Sequence, residues 1–175
     1  MKKISCFRNK IIRGLITLLV VFSITNVRAE NKKTLVFSTK IFYLVLSGNN
    51  IDKIDHLLFV IEQSLESSEN QVYKATLFMK KANLIDKPSE KIKLFKQGKE
   101  ILEKEIRENP QVIEFHFLRL IIQEQAPKML KYNVNIQEDK AIIENNFPKI
   151  KAQLQNIILE YSKSSKILTT SQLQK

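Results

Sequence analysis

The chain has 175 residues, with 29 basic and 18 acidic side chains and a formal net charge of +11. Six of the basic residues and the single cysteine, Cys6, lie in the first 29 residues, which hold no acidic residue. The remainder therefore has 23 basic and 18 acidic side chains, a net charge of +5, and no cysteine. This modest charge argues against nucleic acid as a partner, and the missing thiol excludes a disulfide framework or a cysteine nucleophile there.

The first 29 residues have the three parts of a secretory signal peptide. A basic segment, Met1 to Arg13, precedes an apolar stretch, Gly14 to Ile24, and a short polar segment that ends at Ala29. The apolar stretch is shorter than the roughly 20 residues that a membrane-spanning helix needs. We expect cleavage after Ala29 and an exported bacterial protein, periplasmic or secreted, without a stable membrane span. The alternative is an uncleaved signal that anchors the protein to the membrane.

The remaining composition predicts an all-α domain over residues 30–161. Only two glycines, Gly48 and Gly98, follow the signal, so turn-rich sandwiches and barrels are disfavoured. Long Lys/Glu/Leu/Ile-rich stretches favour helices, and about seven of them joined by short links predict antiparallel hairpins. The Ser/Thr/Lys/Gln-rich residues 162–175 are predicted to be a frayed polar tail.

The first half of the domain contains four predicted helices. Residues 33–47 fit a helix or a strand by periodicity, and their length favours a helix. Asn50 is the expected cap of a second helix, and a third runs from the polar break at residues 67–70 to about Ile85. Pro88 is expected to open a fourth helix that ends near Asn109.

The second half contains three more predicted helices. The pair Asn109-Pro110 is a start signal for a helix over Gln111 to Gln125, which is apolar nearly all round and therefore central. Asn135 and Glu138 have the spacing of a capping box for a sixth helix to about Asn146. Pro148 is expected to begin the seventh, which extends to Tyr161.

Two resemblances accompany this pattern. The stretch from Tyr73 to Pro110 resembles a degenerate tetratricopeptide unit, carried by the residues Tyr73, Leu77, Ala82, Gly98, Leu102 and Pro110. It implies a hairpin repeat or short α-solenoid that binds peptides. The segments Glu114–Arg119, Ala126–Tyr132 and Glu138–Lys140 resemble small exported bacterial proteins of unassigned function, which implies no activity.

The central helix carries the main candidate site. His116, Arg119 and Gln123 follow one another at i, i+3 and i+7, within about 60° around the helix axis. Such a polar seam fits a pocket in which Arg119 binds a carboxylate or phosphate while the other two orient the ligand. It also fits an exposed edge, or an internal bridge from Arg119 to Glu114, Glu138 or Asp139.

No catalytic motif, cofactor-binding loop or metal-ligand spacing is evident in the sequence. Tyr132, in the link after Pro127, is a candidate surface contact. The leading hypothesis is a non-enzymatic helical interaction module that binds a peptide or partner protein outside the cytoplasm. The alternative is a small-ligand binder or hydrolase centred on the His116, Arg119 and Gln123 seam.

Overall fold

The computed structural model describes residues 38–174, except for the side chain of Met129. The predicted signal peptide and residues 30–37 lie outside this range. The described residues form an all-α fold, which confirms the predicted class. The helices are α1 (Thr39–Ser47), α2 (Ile51–Glu62), α3 (Ser68–Leu84), α4 (Pro88–Glu108), α5 (Ile113–Gln125), α6 (Ile136–Asn146), α7 (Ala152–Ser162) and α8 (Thr170–Leu173), with 3₁₀ turns at Lys128–Leu130 and Phe147–Lys149.

Local sequence accounts for several helix starts. The Asn50 side chain accepts a hydrogen bond from the Lys53 amide and caps α2, as predicted, and Ser67 caps α3 in the same way through Asn70. Pro88 occupies the first turn of α4, where its missing N–H leaves no partner unsatisfied. The segment that fitted a helix or a strand is helical over Thr39–Ser47.

Helix α5 is the centre of the fold, as its apolar composition predicts. Nine consecutive residues, Phe115 to Gln123, are buried. The helix packs against α3, α4 and α6, so side chains on every face are enclosed. A helix surrounded in this way sets the positions of the elements that contact it.

The most extensive helix contact is between α3 and α4, which form a hairpin through a three-residue link. Gly98 of α4 lies directly against α3. A Cβ atom at this position would lie 2.5 Å from the carbonyl oxygen of Ala75 and 2.8 Å from Cγ of Met79. Glycine therefore permits a close approach of the two backbones. The hairpin coincides with the tetratricopeptide-like stretch, although membership of that family remains a prediction.

Three predicted start signals act differently in the structure. Pro148 lies in the 3₁₀ turn Phe147–Lys149, and α7 begins only at Ala152. α5 begins at Ile113, and the Asn109 side chain instead donates to the Glu105 carbonyl at the end of α4. α6 begins after Asn135 as predicted, but the side chain of Asn135 bonds to the Glu138 side chain at 3.0 Å rather than forming a capping box. In both cases the Asn side chain has nearby partners other than the amides expected from spacing.

Residues 162–174, predicted to fray, pack against the domain instead. Leu168 and Leu173 are buried in the hydrophobic core. Glu124 at the end of α5 holds the segment, because its carboxylate accepts hydrogen bonds from the Ser165 hydroxyl at 2.7 Å and from the Tyr161 hydroxyl at 2.6 Å. Two buried leucines and the hydrogen bonds to Glu124 thus dock a segment of mostly polar composition.

Candidate functional site

The polar seam of α5 is not an exposed edge. His116, Arg119 and Gln123 retain only 3%, 4% and 3% of their accessible surface. Because α4 and α6 both pack on α5, they cover this face of the helix. The seam is therefore part of the interior, and buried charged groups require partners.

Arg119 is the hub of a buried ion-pair network. Its Nε and Nη2 donate to the two carboxylate oxygens of Asp139 on α6, both at 2.7 Å. Its Nη1 donates to Glu103 Oε2 of α4 at 2.8 Å, and Glu138 Oε2 lies 3.8 Å from Nη2. The predicted bridge to Asp139 is thus present, in the bidentate geometry that a guanidinium favours.

His116 completes the network in its charged form. Its Nδ1 lies 2.8 Å from Asp139 Oδ1 and its Nε2 lies 2.9 Å from the Pro110 carbonyl oxygen. Both partners are acceptors, and only the imidazolium donates from both ring nitrogens. Burial alone would lower the pKa of His116, but the bonds to Asp139 and Pro110 raise it above its usual value.

Tyr132 is buried, so its predicted role as a surface contact is wrong. It retains 3% of its accessible surface and packs edge-on against Phe95, with ring centroids 5.5 Å apart. Its hydroxyl donates to Glu103 Oε1 at 2.6 Å. Glu103 therefore joins Tyr132 to Arg119, and the link after α5 is tied to α4.

The seam as a whole is an internal brace between α4, α5 and α6. Two cations, His116 and Arg119, face the carboxylates of Asp139 and Glu103, and the Glu138 carboxylate lies near Arg119 as well. Each of the nitrogens of Arg119 and His116 donates to a protein acceptor, so the fold itself holds both side chains in place. Gln123 is different, because neither atom of its buried amide has a hydrogen-bond partner among the described residues.

A second polar cluster surrounds Glu114, which is the second residue of α5. Glu114 Oε1 accepts hydrogen bonds from the hydroxyls of Tyr43 of α1 at 2.9 Å and Tyr73 of α3 at 2.8 Å. Burial raises the pKa of Glu114, although the two hydroxyls act in the opposite direction. Sequence spacing gave no sign of this cluster, since Tyr43 lies 71 residues from Glu114 in the chain.

Glu114 lies in the wall of a cavity of about 550 Å³. First-turn residues of four helices line it, namely Thr39 of α1, Glu69 of α3, Glu114 of α5 and Gln153 of α7. We call this space the end cavity. Exposed lysines, amides and aliphatic side chains complete its wall, so the lining is mixed in both charge and polarity.

A third feature is an apolar groove between α1 and α2. It encloses about 480 Å³ and is lined by Ile41, Leu44, Val45, Asn50, Asp52, Lys53, His56 and Leu57. Leu44 and Ile41 retain 71% and 53% of their accessible surface. We call it the α1–α2 groove.

Within residues 38–174, no group of three or more His, Cys, Asp or Glu side chains is arranged to hold a metal ion. None of the helices in that range is both long and apolar enough to cross a membrane. Comparison of the chain with protein-family models, with curated proteins and with solved structures gives no match.

Proposed function

We propose that this protein is a non-enzymatic helical interaction module that acts outside the cytoplasm and binds a peptide or partner protein through the α1–α2 groove. The observation that carries the proposal is the exposure of Leu44 and Ile41, one turn apart on α1, beside a concave apolar surface. Apolar surface of this kind is typical of sites that a partner covers.

The chemistry of the groove indicates the kind of partner. Its apolar side chains, Ile41, Leu44, Val45 and Leu57, are bordered by the polar residues Asn50, Asp52, Lys53 and His56. An apolar centre with a polar border resembles the anatomy of protein interfaces. We therefore expect the partner to insert an aliphatic or aromatic side chain and to contact the border with polar groups.

The gain from binding follows from the exposed area. Complete burial of one leucine side chain contributes roughly 1.5–3 kcal/mol. Because most of the Leu44 side chain is exposed, a partner that covers it would gain most of this free energy. A small groove with two such residues suits a short peptide segment rather than a large obligate interface. The predicted signal peptide supports a partner in the periplasm or outside the cell.

The test compares capture of partners by two matched variants. Leu44→Glu places a charge in the groove, whereas Leu65→Glu places the same charge on a leucine that is 86% exposed and does not line the groove. Both positions are exposed, so stability should change by about 0.5 kcal/mol or less. We expect wild type and Leu65→Glu to recover the same protein from the extracytoplasmic fraction, and Leu44→Glu to lose it.

Equal recovery by all three proteins would show that the groove is not the binding surface. Recovery of the chain alone would refute the partner proposal. The compartment is tested separately, by fractionation and by sequencing the amino terminus of the exported protein. An amino terminus at Glu30 would confirm cleavage after Ala29, and an intact terminus in the membrane fraction would favour the anchored alternative.

A further inference from the structure

The carboxylate of Glu114 is oriented with one oxygen occupied and the other available. Tyr43 and Tyr73 both donate to Oε1, from two different helices. Oε2 makes no hydrogen bond with the described residues, and none of their ion pairs includes Glu114. A carboxylate has about four acceptor positions, so half of this group's capacity is unused.

Glu114 lies in the first turn of α5, where the helix dipole and the nearby Lys151 favour its carboxylate form. Burial disfavours the charged form of Glu114, as its raised pKa shows. A neutral glutamine has the same shape and would accept the same two tyrosine hydrogen bonds through its carbonyl oxygen. The charge is therefore not required for these two hydrogen bonds, and it leaves an anionic oxygen that can accept from a cation.

The position of Glu114 determines what can reach it. The residue is half-buried in the wall of the end cavity, whose cationic side chains, Lys149 and Lys151, are exposed. The fixed inner charge is thus negative, and the positive charges lie on flexible side chains nearer to solvent. Ile150 and Leu154 add aliphatic surface to the same wall.

We propose that the end cavity binds a primary ammonium group attached to a small aliphatic side chain, with Glu114 Oε2 as its hydrogen-bond acceptor. An ammonium offers three donors and a full positive charge, which match a carboxylate oxygen without a partner. Such a group occurs in a free amine and at the amino-terminal residue of a peptide. The site is separate from the α1–α2 groove and extends beyond the proposed function.

The experiment titrates three probes into the full-length chain and follows backbone amide resonances of α5 and α7 by NMR. Leucinamide carries the ammonium, N-acetyl-leucinamide is its uncharged counterpart, and Leu-Ala-Ala-amide presents the same ammonium on a peptide. We expect leucinamide to bind and the acetylated probe to bind at least tenfold more weakly, since an ionic hydrogen bond contributes on the order of tenfold or more. Tighter binding of the tripeptide than of leucinamide would assign the source to a peptide, and equal binding would assign it to a free amine.

Matched variants locate the interaction. Glu114→Gln keeps the shape and should lose about tenfold or more in affinity for leucinamide, whereas Glu90→Gln, on exposed α4 surface outside the end cavity, should bind as wild type does. Tyr43→Phe provides a second variant that retains the charge and should weaken binding by a smaller factor. Leu44→Glu should leave amine binding unchanged, so failure of the groove proposal is distinguishable.

Three results would overturn the proposal. One is a lack of binding of leucinamide to the folded wild-type chain. Another is equal binding of leucinamide and its acetylated counterpart. The third is wild-type affinity for leucinamide in folded Glu114→Gln, as judged by an unchanged helical circular dichroism spectrum.

Discussion

The substitution Asp139→Asn removes the negative charge that pairs with Arg119 and His116 in the buried ion-pair network. Asp139 is completely buried and accepts three hydrogen bonds, two from Arg119 and one from His116, all between 2.7 and 2.8 Å. Asparagine keeps the shape of the side chain, but only its carbonyl oxygen can accept hydrogen bonds from these donors. Its amide N–H₂ is itself a donor and cannot pair with the remaining N–H groups. Both cations would therefore lose their shared counter-charge.

The size of the effect follows from that geometry. Removing one partner of a buried ion pair destabilises by about 3–5 kcal/mol, because the other charge remains buried and unpaired. Arg119 keeps Glu103 at 2.8 Å, and His116 can release its proton, so we expect a loss of about 3 kcal/mol. For a domain of this size that corresponds to a decrease in Tm of about 10 °C.

The measurement is the free energy of unfolding in urea, followed by circular dichroism. Asp55→Asn is the matched control, because it makes the same change in an exposed pair with Lys81 and should alter stability by about 1 kcal/mol or less. Arg119→Leu should destabilise to a similar extent as Asp139→Asn. The double variant should lose less than the sum of the two, since they break the same interaction.

Two outcomes would refute this reasoning. A loss below about 1 kcal/mol in Asp139→Asn would mean that the network contributes no more than an exposed ion pair. Strict additivity of the Asp139→Asn and Arg119→Leu losses would mean that the two side chains do not stabilise each other.

Two further predictions concern pH and packing. Because the pKa of His116 is raised on folding, its contribution is fully present below about pH 6.5 and decreases as the pH rises through the folded pKa. Wild type should therefore lose unfolding free energy as the pH rises above about 6.5 in urea titrations, and parallel pH curves for wild type and His116→Gln would contradict this. Gly98→Ala should destabilise by about 1 kcal/mol despite the better helix propensity of alanine, because the new Cβ would lie 2.5 Å from a backbone oxygen of α3. Equilibrium unfolding checks the sign, and a stabilised variant would mean that α3 and α4 separate easily.

The sequence alone predicts the fold class and most helices. Few glycines, long Lys/Glu/Leu/Ile-rich stretches, the cap at Asn50 and the proline at Pro88 act locally, so their effects can be read without tertiary contacts. The all-round apolar character of α5 also predicts its central position correctly. The pattern that predicts a signal peptide is likewise local, and it lies outside the described residues, so it stays a prediction.

The candidate site was predictable only in part. The spacing of His116, Arg119 and Gln123 places them on one face of α5. The need to pair a buried charge left Glu114, Glu138 and Asp139 open as partners of Arg119, and the tertiary structure selects Asp139 for the bidentate pair. Whether that face is open to solvent depends on α4 and α6, which no pattern within α5 describes. The burial of Tyr132 was missed for the same reason, since its partner Glu103 lies 29 residues away.

Only the tertiary structure brings distant residues into one place. Tyr43, Tyr73 and Glu114 meet because α1, α3 and α5 pack side by side with their first turns at the same end. Leu168 and Leu173 become core residues because hydrogen bonds to Glu124 of α5 hold the segment that joins them to α7, and α8 packs on α7. Helix formation depends on neighbours within about four residues, so the sequence determines it directly, whereas burial and side-chain pairing depend on which helices contact one another.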